Sequence, residues 1–208
     1  MRPSHVSLSY YQATANRKIE CPPLSGDMTA DVIVIGVGLT GISAALELAK
    51  AGFKVVVLEQ GVIGGGASGR NGGQICTGFS ASQDKITAQL GKEDARKCFD
   101  IAEESKRLIE QRIATYNIDC GLKWGYLHCA MKPKSMPALQ AWKDEYDALG
   151  YEGCEILSKK QLEERLGSRL YHGAMREPRA GHFHVLNYLL GITAAAQKAG
   201  AIIFENSK

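Results

Sequence analysis

Asp31–Glu59 reads DVIVIGVGLTGISAALELAKAGFKVVVLE: an apolar run, a glycine-rich turn, a helix-length segment, a second apolar run and a closing carboxylate. The run Val32–Ile35 predicts a buried parallel strand, and Gly36, Gly38 and Gly41 follow it at GxGxxG spacing. Each glycine has a separate task. Gly36 lets the chain turn off the strand, Gly38 leaves room for a pyrophosphate against the backbone, and Gly41 lets the helix lie close on the sheet. A phosphate placed there would meet the free N–H groups of the helix N-terminus. Apolar residues repeat at helical spacing from Ile42 to Ala49, Gly52 stops the helix, and Val55–Leu58 forms the second strand. Glu59 then stands where a carboxylate accepts hydrogen bonds from ribose hydroxyls and repels a 2′-phosphate, which disfavours NADP. The pattern predicts a dinucleotide site; a ligand-free βαβ unit is the alternative.

The segment that follows, Gly61–Gly73, reads GVIGGGASGRNGG and is too rich in glycine for the interior of a strand or helix. Such a loop can turn many backbone amides toward an anion. Ser68, Arg70 and Asn71 add a hydroxyl, a fixed cation and an amide close together. A flexible surface linker is the competing reading, and the position directly after a nucleotide-binding strand favours a second ligand-contacting loop.

GVGLTGISAALELAKAGFKVVVLE together with Ala67–Gln74, ASGRNGGQ, resembles the FAD-dependent amine and amino-acid oxidases of the D-amino-acid oxidase, glycine oxidase and sarcosine oxidase superfamily. Within it, the chain resembles the gamma-glutamylputrescine oxidase subgroup. Ser9-Tyr10-Tyr11, the lead containing Pro22 and Pro23, and AGHFHVLN at Ala180–Asn187 extend the likeness over essentially the whole chain. The family commonly has proline where Val185 stands. The resemblance implies a Rossmann-like FAD/NAD(P)-binding α/β fold. It assigns Gly36, Gly38, Gly41 and Glu59 to the ADP half of FAD, and Ser68, Arg70, Asn71 and Gly72 to the surroundings of its pyrophosphate, ribityl chain and flavin ring. Leu39, Thr40, Gln60, Ala67, Gly69 and Gly73 complete the implied cofactor-binding set. A NAD-dependent dehydrogenase would share the βαβ unit but not ASGRNGGQ.

Composition narrows the remaining classes. With 45% hydrophobic residues, 208 positions suffice for a sizeable core. Lys plus Arg at 25 against Asp plus Glu at 22 leaves a formal charge of +3, and no basic stripe with interleaved aromatics appears, so no nucleic-acid partner is expected. MRPSHVSLSYYQ lacks the apolar core of a signal peptide and no apolar run is long enough to span a bilayer, which predicts a cytoplasmic protein with no membrane span. The cysteines Cys21, Cys76, Cys98, Cys120, Cys129 and Cys154 form no CxxC pair and read as reduced thiols rather than metal ligands.

Beyond the loop, Gln83–Leu90 and Glu93–Tyr116 predict two helices separated by Gly91, with Phe99, Ala102, Leu108, Ile109 and Ile113 inward and Glu103, Glu104, Lys106 and Arg107 on a solvated face. Leu122–Met131 predicts a strand. Ser135 is expected to cap a helix to Leu149, Glu155–Leu157 returns as a strand, and Ser158 with Gln161 forms a capping box for a helix to Leu166. Val185–Ala199 predicts a helix stopped by Gly200, and Ala201–Glu205 a strand, repeating the device of Lys50-Ala51-Gly52 and the strand ending at Glu59. The expected organisation is a lead at 1–29, the first part of the FAD-binding domain at 30–120, an inserted α+β substrate-side region at 121–181, and a return to the FAD-binding domain at 182–208.

By the resemblance, the inserted region would cover the substrate side of the flavin, making Trp124, Tyr126, Tyr171, His172, His182 and His184 candidates to line an amine pocket, although strand aromatics are usually core. His182-x-His184 lacks a third ligand, so no metal is assigned. No nucleophile or general base is named, because the cofactor carries this chemistry. Family chains are about twice as long, so the C-terminal half is expected to be missing. The functional expectation is therefore oxidation of a small-molecule amine or amino acid by hydride transfer to flavin, with oxygen as acceptor. The alternative is a catalytically incomplete FAD-binding fragment whose open sheet edge takes a partner chain or a second copy.

Overall fold

A computed structural model describes residues 8–208; residues 1–7, which begin the expected lead, lie outside them. In chain order the elements are α1 Tyr10–Thr14, β1 Val32–Ile35, α2 Leu39–Lys50, β2 Val55–Leu58, β3 Gln74–Ile75, α3 Gln83–Thr115, β4 Lys123–Cys129, α4 Met136–Ala148, β5 Glu155–Ser158, α5 Lys159–Leu166, β6 Gly173–His182, α6 Val185–Lys198 and β7 Ile202–Phe204. They divide into two compact units. The first comprises the chain up to Gly73, Arg107–Leu122 and Phe183–Lys208; the second comprises Gln74–Lys106 and Lys123–His182. Segment 74–106 thus groups with the second unit rather than with the nucleotide-binding part.

In the first unit, β1, β2 and β7 form a parallel sheet in that order, with Val32–Ile35 in register against Val55–Leu58 and Val56–Leu58 against Ile202–Phe204. Val55, Val56 and Val57 are buried because β2 is the middle strand. Helix α2 buries Ile42, Ala45, Leu46 and Ala49, while α6 is apolar nearly all round and is buried along most of its length. The expectation of a buried β1 is corrected. Among the described residues β1 pairs with β2 alone, and Ile33 and Ile35 are 58% and 78% exposed. A βαβ motif predicts the strand but not whether anything lies on its far side.

In the second unit, β6 pairs antiparallel with β3, β4 and β5. Sequence reasoning did not recognise β6, whose GAMREPRAGH lacks alternation and contains proline. Pro178 is tolerated because the β4–β6 register shifts between Trp124 and Tyr126, so the missing N–H falls in an irregular stretch rather than a regular ladder. The core joins Phe99 of α3, Tyr146 of α4, Tyr151, Cys154 and Met175 of β6. A smaller cluster joins Leu157, Leu162 and Ala174, with Tyr171 packed against it. Gly91 breaks the helical dihedrals inside α3 where the sequence predicts a separation. The Ser158–Gln161 capping box forms as expected. Ser135 precedes α4 in a helical conformation and makes no side-chain cap, because a 3₁₀ turn at Pro133–Ser135 already leads into the helix.

The solvated face expected of α3 is also corrected in part: Glu103 and Lys106 are 4% and 2% exposed. Lys106 Nζ lies 2.6 Å from Glu103 Oε1, donates to Thr77 Oγ1 at 2.6 Å and sits over the Tyr151 ring. Glu177 accepts from Thr77 and from Tyr151 at 3.1 Å, with His128 Nε2 at 2.8 Å. Burial pushes the Lys106 ammonium below its ordinary range despite Glu103. Burial alone would raise Glu177, yet hydrogen bonds from His128, Thr77 and Tyr151 hold it below the usual carboxylate range. Helical periodicity shows which residues share a face, not whether a complementary charge waits opposite that face. No helix among the described residues is long and apolar enough to cross a membrane.

Candidate nucleotide-binding site

Gly36 leaves β1 at φ +93°, a conformation costly for residues with a Cβ. Gly38 is the N-cap of α2, and the first intrahelical bond runs from Ile42 N–H to Gly38 C=O at 2.9 Å. Leu39, Thr40 and Gly41 therefore form the first turn, where N–H groups point out of the helix end. A Cβ on Gly41 would lie 2.2 Å from the Gly36 carbonyl oxygen and 3.2 Å from Val34 Cγ1. The third glycine thus does what its spacing predicts: it lets α2 approach the strand-to-helix turn.

Glu59 follows β2 and turns its carboxylate back across the sheet end. Oε2 accepts from Val37 N–H at 2.9 Å and Oε1 from Gly61 N–H at 2.9 Å. One side chain thus braces the turn after β1 and the start of the glycine loop, and each oxygen keeps a further lone pair for a ligand hydroxyl. Ser68 comes from a 3₁₀ turn, Ala67–Gly69, and its Oγ accepts from Leu39 N–H at 3.1 Å. That bond ties the loop to the start of α2, and a Cβ on Gly38 would press on the same Oγ at 3.1 Å.

A cavity of about 610 Å³ opens among these elements, within the range of small-molecule sites. Of the positions the sequence singled out, Gly38, Glu59, Gln60, Ala67, Ser68 and Arg70 line it. Gly36, Leu39, Thr40, Gly41 and Gly69 are not part of the lining, and Gly69 is packed so tightly that a Cβ would fall 2.3 Å from the Gly64 oxygen. Asn71 and Gly72 are exposed and outside the lining. Asn71 shapes the turn instead, accepting from Gly73 N–H at 2.8 Å and donating to Ala67 C=O at 3.2 Å. Gly73 is a packing position, since at φ +66° its Cβ would meet the Phe183 carbonyl oxygen at 2.2 Å.

The sequence reading missed Gln12 of α1 and Leu8 just before it; Gly64 to Gly66, within the segment read as a ligand-contacting loop, line the cavity as well. Ser9 and Gln12 form a capping box, so the S-x-x-Q spacing was the available signal. Helix α2 is further braced by Arg112, which donates to Ser43 Oγ at 2.7 Å and Glu47 Oε1 at 3.0 Å.

The candidate amine-pocket residues do not form one group. Trp124 and Tyr126 lie on β4, where Gln74 Nε2 donates to Tyr126 Oη at 2.6 Å. Tyr171 belongs to the smaller core cluster, and His172 N–H bonds to Ala130 C=O at 2.9 Å. His182 ends β6. His184 belongs to the first unit and caps α6: its Nδ1 accepts from Asn187 N–H at 3.1 Å, with Nε2 3.0 Å from Thr14 Oγ1. Proline at 185 would occupy the first helical position, which it suits, so valine there leaves the helix start unchanged. All six cysteines are free.

A parallel β1–α2–β2 unit with a glycine turn, a helix N-terminus and a strand-end carboxylate on one cavity defines a dinucleotide-binding α/β protein. The family described as DAO, FAD dependent oxidoreductase, matches residues 31–208, and the chain belongs to it. A probable oxidoreductase OrdL of Haemophilus influenzae is 40% identical over 200 residues, covering 96% of this chain and 46% of the relative. The gamma-glutamylputrescine oxidoreductase of Escherichia coli is 39% identical over 203 residues, covering 98% and 47%. The crystal structure of glycine oxidase from Geobacillus kaustophilus superposes with a TM-score of 0.69 at 26% identity, over 85% of this chain and 46% of that one. The chain spans about half the length of the curated relatives it matches. The cofactor of the family is FAD. The residues present fit its ADP half: a helix N-terminus and a positive side chain for phosphate, a carboxylate for ribose, and glycines where a Cβ would close the cradle.

Proposed function

We propose that this chain supplies the ADP-binding part of an FAD-dependent oxidoreductase acting on an amine or amino acid of the gamma-glutamylputrescine type, with oxygen as electron acceptor. The observation that carries the reading is the convergence of Gly38, Glu59, Ser68 and Arg70 on one cavity. In it, the first-turn amides of α2 and the Arg70 guanidinium hold the pyrophosphate, and Glu59 accepts from the ribose hydroxyls. Bound FAD supplies the hydride acceptor for oxidation of the amine carbon. The choice of substrate class is supported by the similarity to gamma-glutamylputrescine oxidoreductase and to glycine oxidase. Anaerobic addition of gamma-glutamylputrescine to the FAD-loaded protein should bleach the oxidised-flavin band. Bleaching by NADH and not by any amine would overturn the substrate assignment.

A second reading, an FAD-binding portion that acts only with a partner polypeptide or a second copy, is favoured by the β1 edge, where Ile33 and Ile35 stand exposed. Such an edge invites a further strand. On this reading FAD binds, but amine turnover appears only when the edge is covered.

A further inference from the structure

The carboxylate ending β2 has a counterpart that the nucleotide motif does not include. Lys198-Ala199-Gly200 and the strand ending at Glu205 repeat Lys50-Ala51-Gly52 and the strand ending at Glu59, and β7 lies parallel beside β2. Glu205 is 6% exposed. One of its oxygens, Oε1, accepts from Ile63 N–H at 2.6 Å, and the other, Oε2, from Cys21 N–H at 2.9 Å. Burying a carboxylate is costly unless donors surround it, and here both donors are backbone amides 142 and 184 positions away in sequence. Glu59 Oε1 holds Gly61 N–H and Glu205 Oε1 holds Ile63 N–H, so adjacent strand ends grip the glycine loop two residues apart. Backbone bonds reinforce the grip, with Asn206 N–H to Gly61 C=O at 2.9 Å and Ser207 N–H to Glu59 C=O at 2.9 Å.

We propose that Glu205 is a positioning residue of the nucleotide site, fixing the Gly61–Gly66 loop so that its amides and the Glu59 carboxylate face the cofactor together. The inference rests on the FAD reading above, but its geometry concerns this chain alone. Without Glu205, Ile63 N–H loses its acceptor, and only the bonds at Gly61 and the Ser68–Leu39 bond further along still hold the loop. The contact with Cys21 is a separate service to the lead, which Ser207 also holds, its Oγ accepting from Leu24 N–H at 2.8 Å.

Two variants separate these services. Glu205→Gln keeps the shape and one acceptor but opposes an NH₂ group to one of the two amides. Ser207→Ala loosens the lead while leaving Ile63 bonded. In the full chain, Glu205→Gln should weaken FAD binding about ten-fold, the scale of one hydrogen bond to a charged group, and should speed amide hydrogen exchange across residues 59–66. Ser207→Ala should leave both within about two-fold of wild type, the scale of a surface substitution. Equal effects from the two variants, or a Glu205→Gln chain with wild-type exchange in the loop, would overturn the proposal. If the wild-type chain itself fails to bind FAD, the cofactor reading falls, while the exchange comparison without FAD still decides whether Glu205 holds the loop.

Discussion

Replacing Gly41 by alanine tests the geometry of the nucleotide turn with one methyl group. Its carbon would lie 2.2 Å from the Gly36 carbonyl oxygen, whereas carbon–oxygen contacts relax near about 3.3 Å, so α2 must withdraw by about 1.1 Å. Overpacking of this kind costs about 1–3 kcal/mol, and the better helix propensity of alanine returns about 1 kcal/mol. The net destabilisation is about 1 kcal/mol, which for a chain of this size lowers Tm by about 3 °C. Ligand binding should suffer more. A withdrawal near 1 Å takes the first-turn amides out of hydrogen-bond range of a phosphate, and losing two such bonds to a charged group costs about 3 kcal/mol, or about a hundred-fold in FAD affinity. Gly66→Ala is the control: nothing lies within 4 Å of its Cβ, and its Tm should stay near wild type. Thermal melts and flavin-fluorescence titration of both variants read the two quantities. A Gly41→Ala chain that melts higher than wild type and binds FAD unchanged would refute the close-approach reasoning.

Glu59→Gln should weaken FAD binding by about 1–3 kcal/mol, measured by the same titration, because it leaves ribose hydroxyls and one of two backbone amides without a carboxylate. Within the buried pair of α3, Lys106→Met alone should cost about 3–5 kcal/mol in urea unfolding, because it leaves buried Glu103 with only the more distant Arg179 guanidinium at 3.7 Å, whereas the double variant with Glu103→Leu should recover most of that loss. Burial holds the Tyr146 and Tyr151 hydroxyls above their ordinary range and pushes the Cys154 thiol up to about 11. Groups with raised folded values contribute stability that is complete below their unfolded values and lost as pH rises through the folded ones. Core unfolding of the second unit should therefore begin above pH 9, followed by near-ultraviolet circular dichroism, and flat stability from pH 8 to 11.5 would contradict it.

The nucleotide unit was legible because each of its steps is local. Val32–Ile35, the three glycines, α2 and β2 lie where spacing puts them, and the KAG-strand-Glu repeat marks β7 as a strand, which the fold sets beside β2. What stayed hidden depends on neighbours distant in sequence. Exposure of Ile33 and Ile35 follows from what lies beyond β1, burial of Lys106 from Glu103, Thr77 and Tyr151 around it, and the role of Glu205 from amides at positions 21 and 63. Strand β6 was obscured by its own composition, with proline and charges sitting where an irregular pairing absorbs them. For the candidate site, the sequence points to part of the cavity lining, whereas Asn71 and Gly73 shape the loop from outside it. A GRNGG sequence cannot reveal which of its members faces the ligand.

We propose that the first unit recognises FAD through the α2 N-terminus, Glu59 and the glycine loop. The most direct measurement is titration of the 208-residue chain with FAD, monitored by flavin fluorescence, beside NAD⁺ and the Glu59→Gln variant. Saturable one-to-one binding of FAD, weakened by Glu59→Gln and unmatched by NAD⁺, is the predicted result; NAD⁺ binding as tightly as FAD, or FAD affinity indifferent to Glu59, would contradict it.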